Sequence, residues 1–100
     1  SWTIAVSTTT NPANSTGAPT NELLTSIDSA NSTTGSGMVV DQTAMAVVPT
    51  AGTLQLAHGP TGITPRRLPF DLIESFRLAI GTTDPLTPVT SPITYTFIAN

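Results

Sequence analysis

Short runs in which apolar and polar residues alternate are the feature that most constrains the fold of this chain. Residues 2–7 (WTIAVS) place Trp2, Ile4 and Val6 on one face, and residues 93–98 (ITYTFI) repeat the pattern near the other end. A period of two with β-branched residues is typical of β-strands that are buried on one side. These runs therefore predict a β-rich chain.

Two more segments are predicted to be strands. Met38–Val48 carries strand-forming residues and is expected to break near Asp41–Gln42. Thr53–Ala57 is expected to be a short strand with Leu54 and Leu56 on one face. A turn at Pro49–Gly52 separates the two segments.

Two segments have helical features. Asn21–Ser29 is predicted to be one short helix, with Asn21 as the N-cap and an apolar face of Leu23, Leu24 and Ile27. Pro69–Ile80 has helix-like ends, yet its alternation also fits a strand. We expect a helical turn or loop through about Ile73, and then a strand to Ile80.

The intervening segments have the composition of loops. Thr, Asn, Pro, Gly and Ser dominate residues 8–20, 31–37, 58–67 and 81–92. The strands at 75–80 and 93–98 are expected to form a hairpin across the last of these. The predicted fold is a single all-β domain over residues 1–100. It is a small antiparallel β-sandwich or barrel with long Thr/Pro-rich loops and at most one or two short helices.

The composition removes several kinds of chemistry. The chain has twenty threonines but no lysine and no cysteine, and His58 is its single histidine. Schiff-base, thiolate and disulfide chemistry are thereby excluded. His58, in a Gly/Pro-rich segment, is expected to be an ordinary loop residue. The sequence indicates no catalytic residue, no cofactor site and no metal site, and we predict that the chain is not an enzyme.

The charge pattern also excludes partners. Charged residues make up 9% of the chain and the net charge is −3. The one basic pair, Arg66–Arg67, is too small for the basic footprint that binds nucleic acid. No apolar run reaches the roughly 18 residues of a membrane span. We therefore expect neither a nucleic-acid partner nor a membrane partner.

One fragment has the form of an enzyme motif. Ile27–Asp28–Ser29–Ala30 resembles the hydrophobic-Asp-Ser/Thr-Gly/Ala motif of retroviral-type aspartic proteases. The resemblance covers these four residues and implies a half-site in which one Asp28 from each of two chains shares a proton. The alternative for Asp28 is an aspartate at the end of a helix.

Two patterns bear on glycans. Asn14–Ser15–Thr16 and Asn31–Ser32–Thr33 match the N-glycosylation sequon, and both lie in predicted loops. Trp2 and Tyr95 are the best candidates for an aromatic platform that binds sugar, but their positions in strands favour burial.

These observations predict a recognition or structural role. The expected function is a structural or surface module of a protein assembly, most naturally a virion component such as a coat-protein surface domain, a decoration protein or a fibre subunit. Its expected partners are other copies or neighbouring subunits, and a receptor or glycan bound through the loops. The alternative is an extracellular carbohydrate- or protein-binding module of a secreted adhesin. The expected location is the virion or the extracellular space.

Overall fold

The computed structural model describes residues 2–9, 22–32, 37–60, 70–79 and 90–99. These residues form β-strands and connecting segments, with no helix among them. The strands are β1 (Trp2–Thr8), β2 (Glu22–Ser32), β3 (Val39–Val40), β4 (Ala46–Val47), β5 (Leu54–Gly59), β6 (Phe70–Ala79) and β7 (Ile93–Ala99). The all-β prediction is confirmed.

The strands form two antiparallel sheets. The four-stranded sheet has the order β3-β5-β1-β7, and the three-stranded sheet has the order β4-β2-β6. Strand β1 pairs with β5 on one side and β7 on the other, while β2 pairs with β6 over nearly its whole length. The sheets do not close into a barrel in the described part of the chain, because β6 and β7 each have one partner.

The core lies between the two sheets. Val6 of β1, Ile27 of β2, Leu56 of β5 and Val48 form a buried cluster. Burial of each such side chain contributes about 1.5–3 kcal/mol of hydrophobic free energy. Partly buried residues from both sheets surround the cluster, namely Ile4, Leu23, Val40, Leu54, Leu72 and Ile93.

Residues 39–48, here called the crossing segment, connect the two sheets. At its start, the amide of Asp41 donates to the carbonyl of Leu56 in the four-stranded sheet (2.8 Å). Further along, the carbonyl of Gln42 accepts from the amide of Ile27 (2.8 Å), and the amide of Val48 donates to Leu23 (3.0 Å), both in the three-stranded sheet. The segment therefore closes one side of the fold with backbone hydrogen bonds. The predicted break near Asp41–Gln42 is confirmed and is the point where the chain changes sheets.

Threonine takes positions that an apolar residue would normally fill. Thr8 and Thr25 are both buried, and Thr25 alternates with Leu23 and Ile27 along β2. The expected helix at residues 21–29 is therefore wrong. The spacing of leucine and isoleucine in residues 21–29 fits a helix only if Thr25 is assumed to be exposed. In the structure the β-branched Thr25 belongs to the inward-facing set of a strand.

Three other expectations about strands are corrected. Strand β6 begins at Phe70, so the helical turn expected through Ile73 is absent. The expected hairpin between residues 75–80 and 93–98 is absent, because β6 pairs with β2 and β7 pairs with β1. The expected loop at residues 58–67 begins later, because His58 and Gly59 complete β5. Alternation identifies strands and faces but does not identify their partners.

Trp2 packs against a glycine on the neighbouring strand. Trp2 is directly opposite Gly59 in the β1–β5 pair, and its ring stacks on Phe97 of β7 with centroids 6.1 Å apart and planes 2° apart. A Cβ atom built on Gly59 would lie only 2.6 Å from Cζ2 of the indole, too close for two carbon atoms. Glycine at position 59 therefore creates the space that the indole occupies.

Replacement of Gly59 by alanine should displace this indole. We expect Gly59→Ala to lower the free energy of unfolding by about 1–3 kcal/mol, the usual cost of overpacking. Chemical denaturation followed by fluorescence is suited to the measurement, because Trp2 is the only tryptophan. The control is Gly52→Asn, since Gly52 has φ +72° in open space and asparagine tolerates that conformation. Equal stability of Gly59→Ala and wild type would contradict the packing.

Candidate functional site

The side of the fold opposite the crossing segment is open. It lies between the edge strands β6 and β7, and we define the open side by Glu74, Phe76, Leu78, Tyr95 and Phe97. The four large side chains in this set remain partly exposed: Phe76 45%, Leu78 43%, Tyr95 56% and Phe97 57%. Alternation places them on the core-facing sides of the two strands, next to Leu72 and Ile93 of the core. The open side is thus an extension of the core that remains partly exposed in the described part of the chain.

Glu74 connects the two sheets across the open side. Its Oε2 accepts a hydrogen bond of 2.5 Å from the Thr25 hydroxyl on β2, and its Oε1 accepts one of 2.5 Å from the Tyr95 hydroxyl on β7. The carbonyl oxygen of Ser75 also lies 2.9 Å from the Thr25 hydroxyl. A carboxylate among apolar residues requires such donors, because burial without hydrogen bonds is costly.

A cleft lies beneath this bridge. Its volume is about 380 Å³, and both sheets contribute to it. The floor is apolar, and Glu74 and Tyr95 of the bridge also line the cleft. The lining residues are Ile4, Ile27, Leu56, Asp71, Leu72, Glu74 and Tyr95. An apolar floor with a few polar groups is typical of a surface that receives a side chain or a small ligand.

The bridge changes the acidity of Tyr95. Burial, the hydrogen bond to Glu74 and the negative charge of Glu74 together raise the pKa of Tyr95 to about 12. All three favour the neutral phenol, which is the form that can donate to the carboxylate. Tyr95 was expected to be buried in its strand; it is instead more than half exposed.

A second polar cluster holds the start of the crossing segment. Nδ1 of His58 lies 2.8 Å from Oδ2 of Asp41 and donates to it, and Nε2 of Gln55 donates to the same oxygen at 2.9 Å. Burial opposes ionisation of Asp41, but these hydrogen bonds and the charge of His58 prevail and lower its pKa. His58 is thus not the loop residue expected from the sequence. It ties β5 to the crossing segment.

Asp28 occupies the β-bulge in β2, where the register with β6 shifts between Ile27 and Ser29. It is exposed and accepts a hydrogen bond from the hydroxyl of Ser75. The alternative of an aspartate at a helix end is wrong, because residues 22–32 are a strand. A shared-proton dyad needs a second chain, so the protease half-site stays a prediction.

The other candidates from the sequence are placed in part. Trp2 is buried, as expected from its strand position. Asn31 and Ser32 end β2 and are not in the expected loop. The sequon at Asn14 and the pair Arg66–Arg67 lie outside the described residues. No His, Asp and Glu side chains within the described ranges form a group of three or more that could hold a metal ion. That part of the chain also contains no helix of the length and apolarity that crossing a membrane requires.

The sequence did not lead us to expect Glu74 in the candidate site. Its signal is nonetheless present: Leu72, Glu74 and Phe76 share one face of a strand, so a charge falls within an apolar series. Such a charge requires a partner, and Tyr95 is separated from it by 21 positions in the chain.

The described residues define a class: a two-sheet antiparallel β protein in which one apolar edge is partly exposed. The chain matches no protein-family model, no curated protein and no solved structure.

The Glu74–Tyr95 bridge predicts an unusual titration. Because Tyr95 is the only tyrosine, ultraviolet difference spectroscopy reports it alone. We expect a pKa of about 12 in the wild type and a lower value in Glu74→Gln, which removes the negative charge. Since folding raises this pKa above its ordinary value of 10, the stabilisation is fully present below pH 10 and is lost as the pH rises towards 12. A wild-type pKa of 10 would show that the bridge is not formed.

Proposed function

We propose that this chain is a non-enzymatic structural module of a protein assembly, folded as a small β-sandwich whose open side contacts a neighbouring subunit. The observation that carries the proposal is the set of large apolar side chains, Phe76, Leu78, Tyr95 and Phe97, that face the core and are still 43–57% exposed. Apolar surface that continues a core and meets solvent marks an interaction surface.

The backbone supports the same role. Among the described strands β6 and β7 are both edge strands, and no other described strand pairs with the backbone donors and acceptors on their outer sides. A partner that contacts the open side gains hydrogen bonds along these edges together with apolar burial. Interfaces of stable assemblies combine an apolar centre with polar groups around it, and Glu74 and Asp71 are such groups.

The setting that suits this module best is a virion component, such as a coat-protein surface domain, a decoration protein or a fibre subunit. A chain with 9% charged residues and twenty threonines is suited to contact with neighbouring subunits. Its expected location is therefore the virion or the extracellular space. A receptor or glycan remains a further proposed partner of the loops.

Carbohydrate binding by an extracellular module is a second candidate. The specific observation in its favour is that Tyr95, an exposed aromatic ring, lies beside a cleft lined by Asp71 and Glu74. Aromatic faces and carboxylates are common in sites that bind polar ligands. A glycan array probed with the labelled protein would support this candidate if a defined sugar class bound and Tyr95→Ala abolished binding. Binding to no glycan would exclude it.

Self-association is the direct test of the assembly proposal. We expect the mass from size-exclusion chromatography with light scattering to rise above the 10.3 kDa of one chain as concentration increases. Phe76→Gln should return the protein to a monomer, because it removes apolar surface from the open side. Val47→Gln is the matched control: Val47 is equally exposed (45%) but lies on β4. A wild-type monomer at every concentration would contradict the proposal.

A further inference from the structure

Strand β6 is a long edge strand among the described strands, and it has neither a proline nor a bulge of its own. It spans Phe70–Ala79, contains no proline, and has β2 as its one neighbour among the described strands. The bulge in this pair is on β2, where Asp28 is the extra residue. Natural edge strands are commonly protected by prolines, bulges, shortness or inward-pointing charges, and of these β6 has the inward-pointing charge of Glu74. Strands β3 and β4, with two residues each, are protected by shortness.

The sequence of β6 is largely self-complementary about Glu74. Reading outward from Glu74, the three outer pairs of positions complement each other: Phe76 with Leu72, Arg77 with Asp71, and Leu78 with Phe70. The innermost pair, Ser75 with Ile73, joins a polar residue to an apolar one. Two copies of the strand, paired antiparallel with Glu74 at the centre, would therefore place opposite charges and apolar residues directly across from each other. Directly opposed residues on antiparallel strands have Cβ atoms about 4.5–5.5 Å apart.

We propose that β6 pairs with β6 of a second copy of this chain, antiparallel and about a two-fold axis that passes by Glu74. This inference rests on the proposed function, for which it names the partner and the register. The pairing joins the two three-stranded sheets into one six-stranded sheet. A two-fold contact uses the same surface on both copies, so the chemistry of one strand has to complement itself.

The charged residues of β6 are the main support for the two-fold pairing. Asp71 and Arg77 are both exposed, and neither forms an ion pair with another described residue. They share the face of β6 turned away from Glu74, but they are six residues apart, ~20 Å along an extended strand, and cannot reach each other within one chain. Across the two-fold axis each Asp71 lies opposite an Arg77, so the pairing makes two ion pairs from charges that lack a described partner.

The core-facing side adds apolar contacts. Leu72 of each copy falls opposite Phe76 of the other copy, so this contact occurs twice. Phe76 is 45% exposed in the single chain. Stable interfaces bury about 1,200–2,000 Å² in total, so contact along the strand must be accompanied by burial of these side chains. The exposed apolar side chains of the open side lie next to β6 and supply this additional buried area.

Glu74 limits the strength of this contact. The two Glu74 carboxylates would face each other at the axis, and like charges directly opposed destabilise a strand pair. Each carboxylate already accepts hydrogen bonds from Thr25 and Tyr95 of its own chain, which lessens the repulsion. The expected contact is a reversible dimer of defined register.

The other exposed edge has no comparable signal. Strand β7 contains no charged residue, so nothing in its sequence selects one partner or one register through charge. Pairing of β7 with β6 of another copy would be head-to-tail and would extend into a filament. A particle mass that stops at two chains separates the two-fold pairing from this alternative.

Charge reversal tests the register directly. We expect Asp71→Arg alone, or Arg77→Asp alone, to weaken self-association roughly ten- to a hundred-fold, since each replaces two attractions by two repulsions. An equimolar mixture of the two variants should form a heterodimer, because all the arginines then face aspartates. The double variant should regain the wild-type dimer. Native mass spectrometry distinguishes the species, and circular dichroism with Trp2 fluorescence verifies that each variant is folded.

The outcomes separate this inference from the proposed function. If the wild type associates but neither single variant weakens it, or if the mixture forms no heterodimer, the β6 pairing is wrong and the assembly role stands on another surface. If the wild type is monomeric at every concentration, both are overturned.

Discussion

The crossing segment is the constraint on which the rest of this structure depends. One continuous piece of chain bonds to Leu56 in one sheet and to Ile27 and Leu23 in the other, and it places Val48 in the core between them. The two sheets are thereby joined on one side by backbone hydrogen bonds, which have a fixed geometry. On the other side β6 and β7 belong to different sheets and share no backbone ladder. The asymmetry between a closed side and an open side follows from this one connection.

The open side accounts for the unusual polar chemistry. Strands β6 and β7 are not joined by backbone hydrogen bonds. The side-chain hydrogen bonds from Thr25 through Glu74 to Tyr95 connect the two sheets there instead. It holds the sheets at a distance that leaves a cleft and four large side chains accessible. A core that is closed by polar side chains at one margin is suited to completion by another protein. The assembly role is the general form of that proposal, and the β6 pairing specifies its partner and register.

The sequence reveals the elements of this fold better than their arrangement. Alternation correctly predicts β1, β5 and β7 and the break near Asp41, because the period of two is a local property. The prediction fails for β2 because residue type alone does not show whether Thr25 is buried or exposed. When Thr25 is taken as a surface residue, the alternation of β2 is missed and the segment is assigned to a helix. Partners are not local: the link between Glu74 and Tyr95 depends on which strands become neighbours. The charge on an apolar face of β6 shows that a partner is needed, but only the fold identifies it.

Amide hydrogen exchange, followed residue by residue by nuclear magnetic resonance under monomeric conditions, tests the central claim most directly. If one side is closed by the crossing segment and the other is open, the amides of Ile27, Asp41 and Val48 are protected as well as those of β1. Along β6 and β7, every second amide exchanges rapidly, because edge strands direct alternate amides to solvent. Continuous protection along both β6 and β7, or rapid exchange at Ile27, Asp41 and Val48, would contradict this account.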